Sequence, residues 1–251
     1  MTARDVPLSA LASVPAWVQD ERDVDHWLCE TRQIDLSESR LRITAHKLTQ
    51  ARQTLQARAA AIHQFVRRLP FEAHPESIAV RASEVLREGS GDCHTKGLLF
   101  VALCRAAGLP ARMLFLRVRT GFLQGVLQNA PPEMPHAVGQ VYLDGEWRST
   151  DGYVVDPVLF ARAKQHLYEE AMDSGFGIVD AARPNWDGEK DCLHQFRTED
   201  IVMSYGVFHD PIHFYASGRA GGQGWLGAIR YAVGTRLVNR RVAEIRAGVG
   251  E

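Results

Sequence analysis

The chain has 251 residues, and its 29 Lys and Arg nearly balance its 30 Asp and Glu, so the formal net charge is −1. Hydrophobic residues make up 45% and charged residues 24% of the sequence. These values are close to the average for globular domains and exclude collagen-like, coiled-coil and largely disordered chains. A net charge this close to zero gives no global reason to bind nucleic acid or an anionic membrane, so we expect neither partner.

The sequence contains four cysteines, Cys29, Cys93, Cys104 and Cys192. An even number predicts a disulfide framework mainly in short secreted chains, and this chain is long. Its first residues do not resemble a secretory signal, because Arg4 is followed at once by Asp5, and no run of about 18 apolar residues predicts a membrane span. We therefore expect a cytoplasmic protein with reduced thiols, in which the question is which cysteine is reactive.

Two helices are predicted in the first third of the chain. Apolar residues three and four positions apart predict a helix from Leu41 to Leu69, which Pro70 ends. A short helix is predicted from Ser77 to Glu88, before the break at Gly89-Ser90-Gly91. We expect residues 1–36, which are mixed in character, to form an extension packed on the domain.

The most apolar segment follows this break. Residues from Cys93 to Ala107 predict a helix buried on most sides, and Gly108 and Pro110 are stop signals directly after it. Alternating residues from Ala111 to Thr120 predict a strand, and a loop is predicted from Gly121 to Pro135.

A β-hairpin is predicted next. The runs His136–Leu143 and Glu146–Asp151 flank Asp144-Gly145, one of the best short hairpin signals. A two-residue turn pairs Gln140 with Ser149 and sets Asp151 opposite Val138. His136 and Asp151 are then diagonal neighbours on one face, about 7 Å apart along the backbone, which side chains can close. A register slip of one residue would separate them.

The last hundred residues are predicted to be mostly irregular, apart from two helices. One helix is predicted from Pro157 to Met172, and an amphipathic helix from Trp225 to Ala247. The apolar stripe of the amphipathic helix consists of Leu226, Ile229, Val233 and Leu237. Its polar side carries Arg230, Arg236, Arg240, Arg241 and Arg246. These arginines indicate a solvated face, with a docking surface for an acidic partner as the alternative.

Cys93 is the candidate nucleophile among the four cysteines. It opens the apolar helix, where unpaired backbone N–H groups and the positive end of the helix dipole favour a thiolate. Cys104 lies inside the same helix and is predicted to be a small buried hydrophobe. His136 and Asp151 would supply a base and the carboxylate that orients it, so the three residue types of a catalytic triad occur in this order.

The motifs around these three residues resemble those of the transglutaminase-like superfamily. The similarity covers residues 45–155 and is carried by Gly89–Cys93, Leu103–Arg112, His136–Tyr142 and Gly145–Asp151. It implies a papain-like α+β fold, with a central helix that starts at the cysteine and packs on an antiparallel sheet. The chain is then interpreted as a single transglutaminase-like domain over residues 1–251, with an N-terminal extension and a C-terminal elaboration from 156 to 251.

The resemblance also implies thioester chemistry. Cys93 would attack an amide or acyl carbonyl, His136 would shuttle protons and Asp151 would hold the imidazole, while the Cys93 N–H and a second donor would meet the oxyanion. The substrate would be a peptide, a protein or a small amide. Since no acidic calcium-loop pattern is visible, we expect no metal and no other cofactor.

A second cluster of Cys and His residues lies outside this core. Cys192 and His194 are followed by His209 and His213, and such residues can bind zinc, but their spacing fits no standard pattern. A structural or pocket-lining role is the preferred interpretation, with the segment 186–215 shaping the substrate site. His94 is a second possible base, although adjacent residues on a helix point in different directions.

Three functional hypotheses follow from the sequence. The leading one is a cysteine hydrolase that cleaves amide or peptide bonds through an acyl-thioester. The second is an acyltransferase that passes the acyl group to an amine in a pocket that excludes water. The third is a non-catalytic interaction module on the same fold, which the intact Cys, His and Asp disfavour.

Overall fold

The computed structural model describes residues 23–75, 78–220 and 225–248, and from 225 to 233 only the backbone. The helices are α1 (Ser39–Thr49), α2 (Leu55–Arg68), α3 (Ala82–Glu88), α4 (Cys93–Ala106), α5 (Pro157–Glu169), α6 (Pro211–Ala216) and α7 (Trp225–Ala247). The strands are β1 (Ala111–Arg119), β2 (Glu133–Leu143), β3 (Glu146–Thr150), β4 (Ser174–Gly175), β5 (Ile178–Val179) and β6 (Ile201–Phe208). Short 3₁₀ turns lie at Val24–Leu28, Gly121–Leu123 and Thr198–Asp200.

The central sheet has four antiparallel strands in the order β3-β2-β1-β6. The hairpin register is the predicted one, since Leu143 pairs with Glu146 and Gln140 with Ser149. At the turn both residues have positive φ, 48° at Asp144 and 89° at Gly145, which is the conformation that a tight hairpin turn requires. Helices against an antiparallel sheet confirm the expected α+β class.

The first sheet face packs against α4. The apolar side chains of α4 from Leu98 to Cys104 share a core with Ala137 and Val141 of β2. Between these two, Gly139 donates its N–H to the Tyr153 hydroxyl at 2.8 Å, and a Cβ there would lie 2.7 Å from the Phe100 ring. The close approach of helix and strand therefore depends on a position without a side chain.

The opposite sheet face has its own core. Trp27, Val138, Trp147 and Phe196 are buried together on it. The Arg112 guanidinium lies 3.8 Å from the centre of the Trp147 ring, at a distance typical of a cation–π contact. Burial of Trp27 confirms that the described part of the N-terminal segment packs on the domain, whereas residues 1–22 lie outside the described residues.

Two helix predictions need correction. The predicted helix from Leu41 to Leu69 is two helices, because α1 ends at Thr49 and α2 begins at Leu55. The Thr54 hydroxyl caps α2 by accepting the N–H of Ala57 at 3.1 Å. The helix predicted from Ser77 starts at Ala82, and Ser77 itself lies outside the described residues.

Strand β6 lies in the region predicted to be irregular. It pairs with β1 at the edge of the sheet, with register shifts between Phe115 and Leu116 and between Arg117 and Val118, and it contains Gly206 at a φ of 100°. The irregular pairing and the internal glycine interrupt the alternation that would predict a strand.

Helix α7 has the predicted bounds but not the predicted faces. Val242 and Ile245 are buried, whereas Leu237 is 58% exposed. Arg241 donates to the Gly125 carbonyl at 2.9 Å and Arg246 to the Phe71 carbonyl at 2.8 Å, so two of the five arginines bind the domain rather than solvent. Side chains of the other stripe residues, Leu226, Ile229 and Val233, and of Arg230 lie outside the described residues.

Candidate active site

Cys93 is the first residue of α4 and lies beside the start of β2. The Asp92 carboxylate caps the helix by accepting the N–H groups of His94 and Thr95, both at 3.0 Å, and the Thr95 hydroxyl accepts the N–H of Asp92 at 2.8 Å. The Cys93 sulfur is directed towards the N–H of Ala137, which follows His136 in β2. The fold thus brings the cysteine and the histidine strand together.

The surroundings of Cys93 raise the pKa of its thiol. Burial of the sulfur is the main cause, and the carboxylates of Asp92 and Asp151 also raise the pKa. The N–H groups of Ala137 and His94 lower the pKa, but by less than burial raises it. The helix start was expected to favour the thiolate, but desolvation of the charge outweighs that effect here. The resting state at neutral pH is therefore the thiol, and attack requires a base that removes its proton.

His136 and Asp151 are in contact, as the hairpin register predicted. His136 Nε2 lies 3.3 Å from Asp151 Oδ2, and both side chains are almost completely buried. The Asp151 carboxylate occupies Nε2 and so leaves Nδ1 of the ring available to take a proton. Phe122 and Phe196 pack edge-on against the ring, with centroids 6.1 and 5.0 Å away, which restrains its orientation.

The segment around Cys192 holds Asp151 in place. The Asp151 N–H donates to the Cys192 carbonyl at 3.2 Å, and the His194 N–H donates to Asp151 Oδ1 at 2.6 Å. Thr150 and Cys192 form a β-bridge. One carboxylate oxygen therefore faces His136 and the other is fixed by backbone, an arrangement typical of the residue that orients a catalytic imidazole.

His209 and His213, the other two members of the second cluster, have different partners from Cys192 and His194. His209 Nδ1 is 3.6 Å from the Cys29 sulfur and its Nε2 is 3.1 Å from the ring of His26, and His213 Nδ1 is 2.7 Å from Asp210. Among the described residues, the one group of three whose ligand atoms come within 4.8 Å of one another is Asp92, Cys93 and His94. The Cys192 sulfur lies 3.2 Å from His194 Nε2, but no third ligand among the described residues joins them. The contacts of this pair with Asp151 support the structural role.

His94 lies beside Cys93, although helix geometry predicted that these adjacent side chains point in different directions. Its Nδ1 lies 3.3 Å from the Cys93 sulfur, and its Nε2 lies 3.0 Å from the Tyr215 hydroxyl. The first residues of a helix have no preceding turn, and the ring of His94 can fold back to its neighbour. Burial lowers the pKa of His94, so its imidazole is neutral at neutral pH. Nothing in the sequence around Tyr215 indicated this contact.

The raised pKa of Cys93 predicts how its alkylation depends on pH. Thiolate is present above the pKa, so a raised pKa moves reactivity to higher pH. The rate of Cys93 alkylation by iodoacetamide, followed by peptide mass spectrometry, should still be rising above about pH 9, where a free thiol is mostly ionised. Glutathione in the same tube is the reference. A Cys93 rate that levels off at lower pH than the glutathione rate would contradict the desolvation argument.

No helix among the residues that the structure describes is both long and apolar enough to cross a bilayer. The cytoplasmic location expected from the sequence stays a prediction.

Comparison with known proteins agrees with the resemblance noted from the motifs. A family model described as the transglutaminase-like superfamily matches residues 42–152. A candidate cysteine protease from Cytophaga hutchinsonii aligns at 19% identity with a TM-score of 0.44, over 57% of this chain and 46% of that one. A candidate protease from Parabacteroides distasonis aligns at 18% identity with a TM-score of 0.34, over 50% of this chain and 24% of that one.

Each of these alignments thus spans less than half the length of the solved structure. A search of curated proteins found no match. The matched segment includes all three candidate residues, Cys93, His136 and Asp151.

Proposed function

Because residues 42–152 of this chain belong to the transglutaminase-like superfamily, we propose that the protein is a cysteine-dependent hydrolase of amide or peptide bonds. Cys93 is the nucleophile, His136 the base and Asp151 the residue that orients His136. The substrate is a peptide, a protein or a small amide.

The observation that carries this proposal is the buried hydrogen bond between His136 Nε2 and Asp151 Oδ2. The Cys93 sulfur is directed towards the N–H of Ala137, the residue that follows His136. A buried carboxylate on one imidazole nitrogen fixes the orientation and tautomer of the ring, which leaves the other nitrogen free to accept a proton. Since the thiol of Cys93 is not ionised by its surroundings, a nearby base of this kind is what the chemistry needs.

In the first half-reaction, His136 Nδ1 takes the proton of the Cys93 thiol as the sulfur attacks the carbonyl carbon. A carbon–sulfur bond forms, and the carbonyl oxygen becomes an oxyanion, for which the Cys93 N–H is one donor. The carbon–nitrogen bond then breaks, and the His136 imidazolium gives its proton to the leaving amine. The acyl group stays on Cys93 as a thioester.

In the second half-reaction, water attacks the thioester. His136 takes a proton from the water, the new carbon–oxygen bond forms, and the carbon–sulfur bond breaks. The proton on His136 returns to the Cys93 sulfur, so the acid is released and the thiol is restored. Asp151 keeps the imidazole in one tautomer throughout and stabilises its charged form.

Acyl transfer to an amine is the second candidate, and the partial burial of the Cys93 side chain favours it. Protein around a thioester limits the access of water and gives a bound amine the advantage. Analysis of products by mass, with and without an added primary amine, separates the two reactions. An amide that forms in proportion to the amine supports transfer, and free acid alone supports hydrolysis.

Trapping of the acyl-enzyme tests the thioester that both reactions share. With p-nitrophenyl acetate as the acyl donor, we expect one acetyl group on Cys93 within the first turnover, detected by peptide mass spectrometry, together with a burst of p-nitrophenol. The acetyl group should be lost on treatment with hydroxylamine, as thioesters are. Cys93→Ser should show no burst, whereas Cys29→Ser, at the exposed cysteine, should retain it. Acetylation of Cys29 or Cys192 in place of Cys93 would refute the assignment.

A further inference from the structure

A cavity of about 260 Å³ lies between α2 and the segment 184–186, outside the candidate active site. Its wall includes the polar or aromatic residues Arg52, His63, Gln64, Arg67, Asn185 and Trp186. Two of these carry positive charge, and none of the described residues that line the cavity is acidic. The electrostatic character of the cavity is therefore that of a site for an anion.

Arg67 is the buried charge of this cavity. It is 7% exposed, its Nε has no hydrogen-bond partner among the described residues, and its guanidinium lies over the Phe160 ring at 4.9 Å. The nearby carboxylate of Asp156 is already used by the N–H groups of Phe71 and Leu159 and by Arg246. Asp156 attracts the Arg67 guanidinium, but its oxygens accept hydrogen bonds from these other donors. A carboxylate bound in the cavity would supply acceptors for the guanidinium itself.

His63 adds a second buried polar group without a partner. Its side chain is 2% exposed, and its Nε2 has no hydrogen bond among the described residues. Burial and the neighbouring cations Arg67 and Lys96 lower the pKa of His63 well below its usual value, so the ring is neutral. His63 therefore adds no charge to the cavity wall, and its Nε2 faces Gly152 rather than the cavity.

Trp186, Pro184 and three alanines supply the apolar part of the wall. Trp186 is buried, and its indole N–H donates to the Lys190 carbonyl at 2.7 Å, so it is not available to a ligand in the cavity. The indole ring lies 5.2 Å from the His63 ring between centroids. A volume of about 260 Å³ is just below the range of drug-sized pockets and suits a small metabolite.

We propose that this cavity is a binding site for a small organic carboxylate, held through its charged group by Arg67 and through a flat or apolar body by the Trp186 wall. Arg52 at the rim contributes long-range attraction, and the His63 ring forms part of the wall. The ligand is distinct from the substrate that Cys93 attacks, and the site does not depend on the proposed hydrolase activity.

The cavity adjoins the loop that carries Asp151. A Cβ on Gly152 would lie 3.0 Å from His63 Nε2 and 3.1 Å from His194 Nδ1, and the His194 N–H donates to Asp151. His63 therefore belongs both to the cavity wall and to the packing behind Asp151. A carboxylate bound at Arg67 would lie one layer of side chains away from the proposed triad.

Isothermal titration of the full chain with benzoate tests the site. Benzoate carries a carboxylate on a flat apolar ring, and benzamide has nearly the same shape without the charge. We expect benzoate to bind with a Kd of about 1 mM or lower, and benzamide at least about tenfold more weakly, because the charge-assisted hydrogen bonds to Arg67 are lost. Arg67→Gln should weaken benzoate binding by about tenfold or more.

Two further variants keep this test decisive. Arg68→Gln removes the exposed arginine next to Arg67, which does not line the cavity, and should leave binding unchanged. Ala61→Phe fills the cavity from its wall without removing a charge, and should abolish binding even if Arg67→Gln proves to be unfolded by circular dichroism. Absence of benzoate binding, equal binding of benzamide, or unchanged binding in Ala61→Phe would overturn the proposal.

Discussion

Replacement of Cys93 by alanine is expected to abolish turnover, with a loss of at least about 10⁴-fold in kcat/KM, because no other group in the site can form the thioester. The fold should survive, since the Cys93 side chain is partly exposed and alanine is the best helix former. We expect the free energy of unfolding to change by about 1 kcal/mol or less. Turnover of a p-nitrophenyl ester and urea denaturation measure the two quantities.

Cys29→Ala is the matched control, because Cys29 is exposed and has no role in the proposed chemistry. It should retain turnover and stability. Full retention of activity in Cys93→Ala would refute the cysteine mechanism. The interaction module would be supported by two results together. The unmodified protein would show no turnover, and Cys93→Ala would keep the cellular function.

Replacement of His136 by alanine is expected to lower kcat/KM by about 10²- to 10⁴-fold, the range typical of a general base. The corresponding change at His94 is expected to cost about tenfold or less. Both imidazoles belong to the same site, but His136 alone has a carboxylate on its second nitrogen, whereas the partner of His94 is the Tyr215 hydroxyl. A carboxylate stabilises the imidazolium that proton transfer produces, and a hydroxyl does so far less.

His136→Ala and His94→Ala serve as controls for each other, and Tyr215→Phe is a further control. Tyr215→Phe removes the hydroxyl next to His94 and should affect turnover no more than His94→Ala does. A large loss in His94→Ala with a small loss in His136→Ala would transfer the role of base to His94, whose Nδ1 is 3.3 Å from the sulfur. Thermal unfolding of each variant, followed by circular dichroism, separates chemical from structural effects.

Features that depend on local chemistry could be predicted from the sequence. The Asp144-Gly145 turn determined the hairpin register, and that register brought His136 and Asp151 into contact. The start of α4 followed from the break at Gly89-Ser90-Gly91 and the apolar run after it, and its end from Gly108 and Pro110. Burial of Cys104 followed from its apolar neighbours on the same helix.

Features that depend on distant contacts could not be predicted in this way. Strand β6 is added to the edge of the sheet by pairing with β1, some ninety residues earlier, and its internal glycine hides the strand pattern. The faces of α7 depend on where Phe71 and Gly125 place their carbonyls, which periodicity does not encode.

The chemical state of the site also depended on the tertiary structure. From the sequence, the start of a helix predicted an ionised Cys93, because the helix dipole is a local property. The fold instead partly buries the Cys93 side chain and places two carboxylates near its sulfur, and the loss of solvation raises the pKa of the thiol. The sequence by itself thus determined which residues form the candidate triad. The packing decided that the thiol needs a base, that His94 and Tyr215 lie beside it, and that Arg67 and His63 face a cavity behind Asp151, because solvation and contacts between distant segments exist only in the folded chain.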